Sequence, residues 1–182
     1  MAERRTTATQ RRSQAVGAGV KAIADLGLTT SAVQRVAEEI GVSQTYIFRL
    51  FGSKQALLLA CLDEMEDRVR EIFHGAARLD QDERLEAMGA GFRALVADGA
   101  LSGLWLQACA AARGEEEVRA RCRSFISGVL HEVERHTGAT SDELSSFLGR
   151  GALVLQLQAL GVDLSGGSGA AVEALRAWGT LS

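Results

Sequence analysis

Apolar residues recur along most of this chain at intervals of three and four, the spacing of one helix face rather than the alternation of a strand. Val33, Val36, Ala37 and Ile40 form the clearest such set. Gly41 follows and can take the left-handed conformation that ends a helix. Ser43 comes next, a residue type that caps one. The pattern predicts a short helix near 32–40, a turn plugged by Val42, and a second short helix near 44–51. Ser31 with Gln34 three residues on has the form of a capping box for the first of them.

Longer helices flank this pair. Ala15, Ala18, Ala22, Ile23 and Leu26 give one apolar side to a predicted helix from about Arg11 to Leu26, after ten polar, mobile residues. Gly17 and Gly19 each cost up to about 1 kcal/mol there against alanine, so packing has to compensate. Gly52-Ser53 breaks the chain and recaps it, opening a helix from Lys54 to about Arg78. Further stretches are predicted at Asp80–Asp98, Leu101–Arg113, Glu115–His136, from Thr140 or Ser141 to Leu160, and Ala170–Trp178. SGGSG at 165–169 is a flexible break before the last. The expected architecture is all-α, with about nine helices.

Two helices joined by a three- or four-residue turn form a helix-turn-helix, whose second helix fits the DNA major groove. Charge supports that reading once its distribution is considered. The 182 residues carry a net −3. Yet residues 1–54 hold eight Lys or Arg against four acids, and the remainder twelve Arg against nineteen acids. A basic head on an acidic body attracts a duplex to one face and repels it from the others. Hydrophobic content of 47% is ample for a core, and the absence of proline suits helix throughout. The expected domains are a DNA-binding head at 1–54 and a ligand-binding and dimerisation body at 55–182.

The 24-residue block SAVQRVAEEIGVSQTYIFRLFGSK, with the QALL that follows it, carries a family resemblance. It is similar to the TetR family of bacterial transcription regulators, which show Gly-Val-Ser, an aromatic-rich recognition helix, then Phe-x-Ser-Lys and leucines. The match is close over roughly 11–62 and weak beyond. The resemblance implies a cytoplasmic homodimer on a near-palindromic operator, usually a repressor released by a small molecule bound in the helical body. An activator, a regulator without ligand, or a helical protein-interaction module are the alternatives. Carried over by position, Gln44, Thr45, Tyr46 and Arg49 face DNA while Ile47, Leu50 and Phe51 pack inward. Thr45 stands where many members have Gly or Pro, and Phe48 where Tyr is common, so a phosphate hydrogen bond from that ring is missing.

The chemistry of these residues fits the roles. Gln44 can pair bidentately with adenine, and Arg49 with guanine or phosphate; Tyr46 offers a ring to a thymine methyl or fills the core beside Phe51. Thr30, Ser31 and Arg35 lie where the first motif helix crosses the backbone, although Ser31 could serve only as a cap. Ser43 caps the recognition helix beside them. Lys54 opens a helix whose free amides already favour an anion. Arg4, Arg5, Arg11 and Arg12 could reach backbone or minor groove.

In the body, Met88, Phe92, Trp105, Cys109 and Phe125 line a ligand cavity or simply fill the core. Phe147, Val154, Leu157 and Leu160 belong to a helix too apolar to bury only one side, so pairing with a second copy, joined by Leu175 and Trp178, gives a four-helix interface. Cys61, Cys109 and Cys122 read as reduced, buried filler. His74, His131 and His136 lack metal-ligand spacing, and no metal, cofactor or catalytic constellation is expected; the chain does not read as an enzyme. No signal peptide and no membrane span are expected either.

Overall fold

The computed structural model describes the backbone of residues 2–164 and 167–179; the side chains of residues 1–7, 168, 170, 171, 174, 178 and 179 are outside that description. The expectations for Arg4, Arg5 and Trp178, and for Ser165-Gly166 of the predicted break, therefore lie outside the described residues. Among those described, nine helices form in the order α1 (Ala2–Leu26), α2 (Thr30–Glu39), α3 (Gln44–Phe51), α4 (Lys54–Ala76), α5 (Gln81–Leu95), α6 (Ala100–Ala111), α7 (Glu116–Thr137), α8 (Ser141–Ala159) and α9 (Gly167–Gly179). The fold is all-α, as the apolar spacing predicts. α1 starts nine residues before Arg11, so the expected mobile lead-in is helical instead.

The chain divides into two compact units. One comprises residues 1–67 and 103–125, the other residues 68–102 and 126–182. In the first, α1 packs on α2 and α2 on α3. Its core holds Ala15, Ala18, Ala22 and Ile23 of α1, Val33 and Val36 of α2, Ile47 of α3, and Leu57, Leu58 and Cys61 of α4, all buried. The two glycines of α1 differ in role. A Cβ on Gly19 would stand 2.8 Å from Cys61 Sγ and 3.2 Å from Leu57 Cδ1, so only glycine lets α1 approach α4 that closely. Gly17 meets nothing within 4 Å. In the same unit a Cβ on Gly103 of α6 would lie 2.9 Å from Ala24 Cβ.

The second unit buries Phe73, Met88, Val96, Leu101, Val133, Val154, Leu155 and Leu157. Phe73 meets Phe147 edge-on at 6.1 Å between centroids, an arrangement aromatic rings favour. α8 opens with a capping box: Thr140 Oγ1 accepts from the Glu143 amide, and Glu143 accepts from the Thr140 amide at 2.7 Å. The Thr140 amide and hydroxyl, both donating to it, hold the Glu143 carboxyl below the ordinary carboxylate range. Among the described residues no single helix is long and apolar enough to cross a membrane.

Candidate nucleic-acid interface

The helix-turn-helix is positioned from its caps upward. Thr29, in extended conformation, accepts from the Ala32 amide at 3.2 Å and caps α2. This corrects the capping-box reading of Ser31, which sits exposed inside the helix. Thr29 and Thr30 are equally good capping types, so sequence had no means of choosing the start. Gly41 takes φ +68, as the turn requires, and Val42 donates back to Ala37 O at 2.9 Å. Ser43 Oγ then accepts from the Tyr46 amide at 3.2 Å and starts α3. Gly52 ends it at φ +87, and Ser53 Oγ accepts from the Ala56 amide at 3.0 Å to begin α4.

Along α3, burial separates the two faces. Ile47 is 1% exposed and anchors the helix on the core. Leu50 and Phe51 are half-buried on the same side, as are Tyr46 and Phe48 at the margins. Thr45 and Arg49 are exposed, with Ser43 at the helix start. The Arg49 guanidinium lies over the Tyr46 ring at 5.0 Å, a cation–π pair that orients both groups on one surface. Gln44 is half-buried and donates from Nε2 to Thr30 O at 3.2 Å, tying the start of α3 to the start of α2. Its amide oxygen is the remaining acceptor of that side chain. Thr30, Ser31, Arg35 and Lys54 are exposed. Arg35 pairs with Asp25 at 2.8 Å, but both side chains are about half in water, where such a pair is worth little.

Two basic residues do something the sequence did not show. Arg11 donates to Ile40 O at 3.0 Å, and Arg12 to Leu50 O at 3.2 Å with its guanidinium 4.4 Å from the Phe51 ring centre. Each cation closes the carbonyl end of a motif helix, where the dipole and unpaired carbonyls favour positive charge. They hold the motif together rather than reaching out of it. The signal available was Arg-Arg on a helix that had to cross both C-termini, legible only with the packing known.

Residues 16–61 match the sequence model of a family described as bacterial regulatory proteins, tetR family. Over these residues the chain is similar to the DNA-binding head of the TetR family. The match covers α2 and α3, the turn between them and the capped start of α4, the same elements whose geometry is set out above. Two solved structures extend the likeness beyond the TetR head. A crystal structure described as a TetR-family transcriptional regulator from Rhodococcus sp. is 26% identical, with TM-score 0.61 over 82% of this chain and 86% of its own. A transcriptional regulator from Pseudomonas aeruginosa PAO1 shares the fold at TM-score 0.58 and 22% identity, over 93% of this chain and 88% of its own. No curated protein matches. The likeness at 16–61 and the shared fold support a helix-turn-helix DNA-binding regulator.

The residues expected to line a ligand cavity fall into both compact units. Trp105 and Phe125 pack at 5.2 Å between centroids in the first unit. Cys109 in the same unit is exposed, correcting the expectation that all three cysteines are buried; Cys61 and Cys122 are. Met88 is fully buried in the second unit, and Phe92 lies half-buried there, its ring 3.8 Å from where a Cβ on Gly151 would be.

The predicted dimer face is rearranged in a comparable way. Val154 and Leu157, at 5% and 6% exposed, are buried within the protomer itself, while Leu160 (71%), Val172 and Leu153 stand out into solvent. Phe147 and Leu175 are half-buried. Leu153 of α8 and its C-cap Leu160 are thus exposed, while Val154, Leu155 and Leu157 are buried.

Proposed function

We propose that this protein is a homodimeric repressor that binds a near-palindromic operator and leaves it when a small molecule occupies the helical body. The head at 1–54 reads DNA, and the body at 55–182 pairs and senses. The observation that carries the reading is the two-faced α3: Ile47 sealed in the core, Thr45 and Arg49 exposed on the opposite side beside Tyr46. Thr45, Tyr46, Arg49 and the oxygen of Gln44 contact base edges, with Ser43 and Phe48 against the groove wall. Thr30, Ser31, Arg35, Lys54 and the amides opening α4 hold phosphates.

One head alone binds weakly, and two joined heads multiply affinity by making the second contact intramolecular. Leu153, Leu160 and Val172 supply an apolar surface that a second copy covers. Two recognition helices entering successive major grooves need a separation of about 34–36 Å. A ligand held in the helical body that fits a different spacing depletes the DNA-competent population. Moving occupancy from nearly all to nearly none takes roughly 5.5 kcal/mol of differential affinity. The test is fluorescence anisotropy of the protein with labelled fragments of its own upstream region, beside scrambled duplex. Saturable binding of two chains per site supports the reading; equal affinity for scrambled DNA, or none, overturns it.

A further inference from the structure

His74, Glu132 and His136, none of which has a part in DNA reading, come together in the second unit. The Nε2 atoms of His74 and His136 lie 3.7 and 3.2 Å from the same oxygen, Glu132 Oε2. The three ligand atoms all fall within 4.8 Å of one another. Glu132 and His136 are four residues apart on α7, hence on one face; His74 comes from the last turn of α4. In a tetrahedral site with ligands about 2.0–2.1 Å from the ion, ligand atoms stand about 3.3 Å apart. Two of the three separations bracket that value.

The neighbouring charge points the same way. Arg135 Nη2 sits 2.6 Å from Glu132 Oε2 and 2.8 Å from His136 Nε2. Guanidinium only donates, so in the tautomer that accepts at Nε2, His136 meets it with a lone pair, alongside the carboxylate. Two acceptor atoms thus already converge on a positive group. The Arg135 side chain is half exposed and can swing into water, and the His74 ring, 55% exposed, stands edge-on to the His136 ring at 5.8 Å between centroids.

We propose that His74, Glu132 and His136 form a binding site for one divalent transition-metal ion, zinc foremost, which displaces Arg135 and staples the end of α4 to α7. Two imidazoles and one carboxylate suit a borderline ion rather than calcium or magnesium, which take oxygen ligands. Three protein ligands leave at least one position open to water.

The test is calorimetric titration of the chelator-stripped full chain with zinc chloride, with cobalt(II) absorption as a second readout of ligand geometry. One ion per chain is expected, with cobalt d–d bands that shift on binding. His74→Ala and His136→Ala each weaken binding by roughly 10–100-fold, at least the cost of a lost outer-shell partner. Arg135→Ala, which removes the competing cation, tightens it. His131→Ala and Cys109→Ser, exposed donors outside the cluster, leave it unchanged. Circular dichroism and the melting curve of each variant separate a lost ligand from a lost fold. Absence of stoichiometric binding by the parent chain overturns the proposal. So does undiminished binding by folded His74→Ala and His136→Ala, or dependence on Cys109.

Discussion

Arg12 lays its guanidinium 4.4 Å from the centre of the Phe51 ring while donating to Leu50 O at 3.2 Å, so one side chain of α1 covers the last residue of α3 and closes its carbonyl end. An exposed cation–π contact contributes about 0.5–1 kcal/mol and a cation at a helix C-terminus about 0.3–1 kcal/mol. Arg12→Ala should therefore destabilise the head by roughly 1–2 kcal/mol, seen as a lower urea midpoint with faster amide exchange in α3. Arg12→Lys should recover only part, since ammonium cannot both stack and donate in one plane. If Arg12 instead serves DNA, the alanine variant will unfold like the parent and lose a phosphate from its salt dependence.

Gly19 and Gly17 make a matched pair. Both are helix-interior glycines of α1, so alanine is worth up to about 1 kcal/mol at either by propensity alone. At Gly17 nothing opposes the gain, and Gly17→Ala should stabilise by that order. At Gly19 the new methyl meets Cys61 Sγ at 2.8 Å and Leu57 Cδ1 at 3.2 Å in a filled core. Overpacking of that kind costs typically about 1–3 kcal/mol, which exceeds the propensity gain. Gly19→Ala should therefore lower the midpoint in the same urea titration that shows Gly17→Ala raising it.

The contrast marks how far the sequence was legible. Apolar spacing, with the punctuation at Gly27, Gly41 and Gly52, located the nine helices among the described residues, the start of α1 apart, because those signals are local. It could say that α1 carried two unfavourable glycines, but not that one touches α4 and the other nothing. That distinction depends on residues 57 and 61. The exposed side of α3 was readable because Ile47 and its polar neighbours lie within one turn of each other. The engagement of Arg11 and Arg12, with partners 29 and 38 residues away, was not. The His74–Glu132 contact was hidden for the same reason; only the four-residue step from Glu132 to His136 lay in plain view.

Cys61 and Cys109 should differ sharply toward thiol reagents. Burial, with Glu64 and Asp63 adding to it, pushes the Cys61 thiol up to about 12. The thiolate is the reactive form, so Cys61 stays inert at neutral pH. Cys122 is buried too, whereas Cys109 is exposed. Native protein should take up close to one equivalent of iodoacetamide, mapped to Cys109, and denatured protein three. The Cys61 proton also sets a pH dependence. Its folded value is raised above the ordinary 9.0, so its contribution is fully present below about pH 9 and is lost as pH rises toward 12. One proton held more tightly in the folded state changes stability by at most about 1.4 kcal/mol per pH unit. Urea midpoints of the parent should fall faster between pH 9 and 11 than those of Cys61→Ala; parallel slopes would show that Cys61 titrates alike in both states.

Tyr46 and Arg49 form a unit, and operator binding should register them as one. The Arg49 guanidinium rests 5.0 Å from the Tyr46 ring, so truncating the ring also frees the cation that is meant to read a base or phosphate. Each single alanine variant should lose about 1–3 kcal/mol of operator affinity, roughly tenfold to more than a hundredfold. The double variant should lose less than the sum, because residues in contact couple. Arg49 is exposed and Tyr46 only half-buried at the margin of the core, so melting curves should shift far less than on loss of Ile47. Lys54→Ala should behave differently. It should weaken operator and scrambled duplex alike and reduce the slope of log K against log salt by about one, the mark of a single lost phosphate. Undiminished operator affinity at 46 and 49, or a salt slope indifferent to Lys54, would move the contact surface away from α3 and the opening of α4; additive losses would show the pair acting independently.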